Sequence, residues 1–105
     1  MDLGLLYWAL EQRRVDMIAA NATDGLLSKL DLKLLADDRH AFPPYQVSIV
    51  VREPALRQVR GLGAALGDLS GKFTNQIMRK LNYRVDVLHQ TAAQVAADFL
   101  KQNRL

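Results

Sequence analysis

The sequence predicts an α/β fold in which a small sheet is flanked by helices. Two apolar, β-prone runs, Val15–Ala20 and Val47–Val51, stand beside a small polar turn and a double proline. Helical spacing of apolar residues marks the start of the chain and its second half. The elements run helix, strand, short helix, strand, strand, then three helices, an order of α/β layers rather than of a closed barrel. Segments 15–20 and 45–52 are expected to be neighbouring strands covered by helices.

The first helix is expected from Leu3 to about Arg13. Leu3, Leu6, Tyr7 and Leu10 fall at i, i+3, i+4 and i+7. Leu5, Trp8 and Ala9 make its other side apolar as well, the pattern of a helix buried on two sides. Val15–Ala20 follows as a buried strand and ends in the polar turn Asn21-Ala22-Thr23-Asp24. Thr23 or Asp24 is placed to cap a short helix over Gly25–Leu30. Asp31–Leu35 alternates like a second strand, and Asp37–His40 is a polar loop. Pro43 and Pro44 force an extended entry into the third strand, Tyr45–Arg52.

From Glu53 onward the pattern is helical. Leu56, Val59 and Leu66 keep helical spacing, with Gly61, Gly63, Gly67 and Gly71 weakening the segment and bracketing its end. Thr74 is the expected N-cap of a helix carrying Ile77, Met78, Leu81 and Val85. Thr91 and Gln94 form a capping box for the last helix, whose buried side is expected to hold Ala92, Val95, Ala96, Phe99 and Leu100.

With 105 residues the chain is expected to form one domain, residues 1–105, and its 50% apolar content argues against disorder. No apolar run reaches the length of a membrane span. The absence of cysteine excludes disulfides and thiolate chemistry and leaves the compartment open. Met1-Asp2 leads directly into Leu3-Gly4-Leu5 without a basic, apolar leader, so this stretch by itself is not expected to be exported. The net charge is +3, with six Lys/Arg against seven Asp/Glu in residues 1–52 and eight against four in residues 53–105. The excess is scattered over helical faces and reads as a solvated surface rather than a nucleic-acid patch.

Polar groups at the ends of strands are where open α/β sheets place ligands. That directs attention to Asn21, Thr23 and Tyr45. Asn21 offers an amide that donates and accepts, or serves as a turn residue. Thr23 is a hydroxyl donor or a helix cap. Tyr45 offers an aromatic face, or packs at a strand start with a wet hydroxyl. Tyr7 and Trp8 read as core or as aromatic surface. His40 and His89 are isolated, Asp37-Asp38 lacks an acid partner, and Gly61-Leu62-Gly63 lies inside a helical pattern rather than between strand and helix. No metal, cofactor or enzymatic centre is expected.

Longer stretches carry a resemblance. Met1–Leu10 resembles Met-Asp-(Ile/Leu)-Gly-Leu-Leu-Tyr-x-Ala-Leu, and Val15–Gly25 resembles Val-Asp-Val-Ile-x-Ala-Tyr-Ser-Thr-Asp-Gly. Leu34–Tyr45 resembles a segment ending in Phe-Pro-Pro-Tyr. Leu69–Lys72, Met78–Asp86 and Val95–Leu100 follow in the matching order. Together these are similar to the substrate-binding proteins of ABC importers for glycine betaine, carnitine and choline. The resemblance implies a type II periplasmic-binding-protein fold, of which this chain is the C-terminal portion, a partial lobe. It implies a small quaternary-amine ligand held by tyrosine faces through cation–π attraction, with Tyr45 at a cage position and an ABC permease as partner of the full receptor. Asn21 stands where the family pattern has a second cage tyrosine. The rival reading is a protein-interaction module that keeps the fold and has lost transport. Uncovered helix and strand surfaces further predict a homodimer, with segments exchanged between copies.

Overall fold

The computed structural model describes residues 2–105, the side chain of Leu3 excepted. Its elements are α1 (Leu3–Glu11), a single 3-10 turn η1 (Gly25–Ser28), α2 (Glu53–Gln58), α3 (Leu62–Gly67), α4 (Asn75–Asp86) and α5 (Ala92–Gln102). They fall into two compact units. One joins the segment up to Lys33 with Thr74–Leu105; the other is Leu34–Phe73.

In the first unit, Asp2 caps α1 by accepting from the Gly4 N–H at 2.7 Å. Tyr7 is buried and Leu6, Ala9 and Leu10 are half-buried, while Leu5 and Trp8 are exposed. The Arg14 guanidinium lies 4.8 Å from the Trp8 ring centre, a cation–π contact on that open side. The side chain of Leu3, which the spacing assigns to the inner face, lies outside the described residues. The expected covering of α1 on two sides is therefore met on one.

Thr74 caps α4, its hydroxyl accepting from the Ile77 N–H at 3.1 Å. Ile77, Met78, Leu81 and Val85 are half-buried on this helix, which packs on η1 and on α5. The expected capping box of α5 is present in both directions, Gln94 N–H to the Thr91 hydroxyl and Thr91 N–H to the Gln94 side chain, each 3.2 Å. Val95 and Phe99 are buried, one turn apart. Ala92, Ala96 and Leu100 are exposed, so the buried stripe of α5 is narrower than its apolar pattern. Arg84 ties the α4–α5 corner, donating to Gln90 and Asp98 at 2.5 Å each.

In the second unit the Asp37 carboxylate accepts from the N–H groups of Ala41 at 2.8 Å and Phe42 at 2.9 Å. These bonds hold its carboxyl below the usual Asp range. The helical run expected through Leu56, Val59 and Leu66 is broken in two, because Gly61 adopts the left-handed conformation with φ 80°. Glu53 and Arg57 pair one turn apart on the exposed face of α2.

The expected sheet is not seen among the described residues. Among the described residues, Val15–Ala20, Asp31–Leu35 and Tyr45–Arg52 are neither strand nor helix. A strand exists only through a ladder with a neighbour, and apolar alternation predicts a chain ready to pair without supplying the partner. Their side chains are correspondingly open: Val50 is 93% exposed, and Met17 and Val47 are exposed as well.

Candidate ligand site

The turn Asn21–Asp24 connects an irregular segment to η1, and side chains from α1 and α4 hold it. Its own closure is the Asp24 N–H bonding the Asn21 carbonyl at 3.0 Å. Asp24 stands at the N-cap position of η1, but its side chain makes no capping bond. Instead its Oδ2 accepts from the Tyr7 hydroxyl at 2.8 Å and from the Asn21 N–H at 3.2 Å. Burial, then the bond to Asp24 and its negative charge, push the Tyr7 phenol above its ordinary range. Tyr7 is thus both a core residue and the anchor of the turn.

From α4, Arg79 Nε donates to the Ala22 carbonyl at 2.9 Å and Asn82 Nδ2 donates to the Thr23 carbonyl at 2.8 Å. The next residue, Gly25, is buried against the backbone of α4: a Cβ there would lie 2.7 Å from the Tyr83 nitrogen and 2.8 Å from the Asn82 carbonyl carbon. This glycine serves close approach rather than an unusual φ.

Asn21 and Thr23 are brought together in this one turn. Asn21 is exposed and Thr23 half-exposed, and neither side chain is committed to a hydrogen bond among the described residues. Thr23 therefore does not cap η1. Tyr45 belongs to the other unit, where it is 97% exposed. A shallow hollow of about 270 Å³ in the first unit is lined by Leu10, Glu11, Arg13, Leu30, Asp31 and Leu32, none of them a sequence-predicted ligand residue. Among the described residues no group of three or more His, Asp or Glu could hold a metal ion, and no helix is long and apolar enough to cross a membrane.

Arg79, Asn82 and the hydroxyl of Tyr7 are the contributors that sequence reasoning missed. Arg79 and Asn82 lie 57 and 59 residues from the carbonyls they hold. The signal was faint: two polar residues three apart on a helix next to apolar Met78 and Leu81.

Comparison with known proteins settles the family. The model of the substrate binding domain of the ABC-type glycine betaine transport system matches residues 1–102. The chain belongs to this family. It is 36% identical over 103 residues to the carnitine transport binding protein OpuCC of Listeria monocytogenes, covering 98% of this chain and 33% of that protein. It is 36% identical over 105 residues to a glycine-betaine-binding protein of Pseudomonas aeruginosa, covering all of this chain and 34% of that one. The ergothioneine transport permease/ergothioneine binding protein EgtU of Helicobacter pylori is 35% identical over 102 residues, 97% of this chain and 18% of its own length. The chain thus spans about a third of the length of the first of these relatives. The family is one of solute-binding domains, not of enzymes, and it carries the expectation of a periplasmic-binding-protein-like fold. Helices α1, α4 and α5 and the caps at Thr74 and Thr91 agree with the sequence reading, the expected side-chain cap of η1 is not made, and the sheet does not form among the described residues.

Proposed function

We propose that this chain is a ligand-binding portion of a solute-binding domain for small quaternary-amine-type compounds, working with an ABC permease and without catalysis of its own. The family match over residues 1–102 supports the reading. The chemistry is consistent with it. A quaternary ammonium has no N–H to donate and is held by aromatic faces; Tyr45 presents such a face openly. A ligand carboxylate needs donors, and the Asn21 amide and the Thr23 hydroxyl are uncommitted. Asn21 supplies hydrogen bonds where the family pattern has an aromatic ring.

Binding by these 105 residues alone is expected to be weak, because neither the turn nor the single tyrosine makes a cleft by itself. Titration calorimetry with glycine betaine, carnitine and choline should show no micromolar affinity. Amide spectra should show small shifts at millimolar ligand, concentrated at residues 21–24 and 45. Tyr45→Ala should reduce those shifts more than Thr23→Ala; the reverse order would remove Tyr45 from the site. No shift with any of these ligands would end the ligand reading.

The second reading is an interaction module, favoured by the open apolar side chains of Phe42, Val47 and Val50 and by the uncovered Leu5–Trp8 side of α1. Under it the chain self-associates as a homodimer, because exposed apolar segments with unpaired backbone seek partners. Light scattering coupled to size exclusion at low micromolar concentration tests this. A single 11.8 kDa species would reject it.

A further inference from the structure

Arg79 and Asn82 lie three residues apart and so on one side of α4. Both are half-buried and each donates one hydrogen bond to another segment's backbone. Asn82 has the more consequential partner. The peptide unit between Thr23 and Asp24 is held at both ends: its carbonyl accepts from Asn82 Nδ2 at 2.8 Å, and its N–H donates to the Asn21 carbonyl at 3.0 Å. That plane cannot rotate without losing both bonds. Rotation would change the torsions on either side of it and swing the Thr23 and Asp24 side chains. Asp24 in turn holds the Asn21 N–H, so a disturbance at this peptide propagates to Asn21. The turn cannot move closer to α4 either, because Gly25 already rests on the backbone of Asn82 and Tyr83.

We propose that Asn82 is the positioning residue of the ligand turn: its side-chain amide fixes the Thr23–Asp24 peptide and thereby aims Asn21 and Thr23 at the ligand. This rests on the reading of Asn21 and Thr23 as ligand groups. The residue type is suited to the task. The amide supplies a donor on a short, two-torsion side chain. Aspartate, of equal size, would present an acceptor to another acceptor.

The test is amide hydrogen exchange by nuclear magnetic resonance on the full chain, wild type against Asn82→Asp and Asn82→Gln. In Asn82→Asp the Asp24 amide should exchange about tenfold faster, the scale of one lost hydrogen bond to a half-buried carbonyl. The cross-peaks of residues 21–24 should shift, while the cross-peak positions of the Val95 and Phe99 amides stay as in wild type. Asn82→Gln, which keeps the donor, should restore part of the protection. Unchanged exchange at Asp24 in a folded Asn82→Asp chain would overturn the proposal. If that variant does not fold, the side-chain amide protons of Asn82 in the wild type decide: protection supports the proposal, and exchange at the rate of a free amide overturns it. A glycine betaine titration of the same samples separates the two ideas. Smaller shifts at Asn21 and Thr23 in the variant support positioning, and equal shifts overturn it. No shift in either, with Asp24 still protected by Asn82, removes the ligand reading and leaves the anchoring standing.

Discussion

Gly25→Ala should be among the most damaging single-methyl additions in this chain. A Cβ on Gly25 meets three backbone atoms of α4, the Tyr83 nitrogen at 2.7 Å, the Asn82 carbonyl carbon at 2.8 Å and the Tyr83 Cα at 2.9 Å. None of these can swing aside as a side chain would. Ordinary contact begins at 3.4 Å, so η1 must retreat from α4 by about 0.7 Å. The same retreat stretches the Arg79 bond to the Ala22 carbonyl and the Asn82 bond to the Thr23 carbonyl, now 2.9 and 2.8 Å, to the edge of hydrogen-bonding range. Forcing a methyl into a packed contact costs ~1–3 kcal/mol, and weakening two hydrogen bonds adds roughly 1 kcal/mol or more. A total of about 3 kcal/mol is a large share of the ~5–15 kcal/mol that holds a domain folded. Urea unfolding followed by circular dichroism should show the midpoint falling by about 1–3 M at unchanged slope. The control is Gly67→Ala at the end of α3, where an added Cβ meets nothing within 4 Å and the midpoint should hold or rise. A Gly25→Ala midpoint equal to wild type would refute the close packing of η1 on α4.

Three further outcomes follow from local geometry. Tyr7 has its pKa raised on folding, so its contribution is full below the unfolded phenol value of about 10 and is lost as pH rises through the folded one; alkaline stability of the wild type should decline there, and Tyr7→Phe, which also loses the bond to Asp24, should flatten that decline in pH-dependent urea melts. Thr91→Ala removes the hydroxyl that accepts from the Gln94 N–H, leaving only the residue-91 backbone N–H bonded to the Gln94 side chain, and should cost ~0.5–2 kcal/mol, with thermal melts as the check and an unchanged melting temperature as the contrary result. Asp37 has its pKa lowered on folding, so its bonds to Ala41 and Phe42 persist above the unfolded value and fade only as pH falls through the folded one; the amide shifts of Ala41 and Phe42 should titrate with a midpoint below that of an ordinary aspartate, and a midpoint at the ordinary value would show the loop open.

What the sequence determined by itself was local. The caps at Thr74 and Thr91 and the helices α1, α4 and α5 rest on interactions within a few residues, and they stand in the structure where the pattern puts them, whereas the run through Leu56, Val59 and Leu66 is split at Gly61. The order of motifs over nearly the whole chain also carried the family, because a linear order survives without knowledge of the fold. Tertiary structure alone decided what depends on distant partners. Val15–Ala20 and Tyr45–Arg52 have strand composition, yet a strand needs a neighbour whose identity no local pattern contains, and neither segment forms one among the described residues. α5 buries only Val95 and Phe99 of its five apolar candidates, since burial is set by what faces the helix. The grip on the Asn21–Asp24 turn was likewise invisible. Tyr7, Arg79 and Asn82 reach it across 17 to 59 residues, and a hydrogen bond of that span comes into being only when the chain has brought donor and acceptor together.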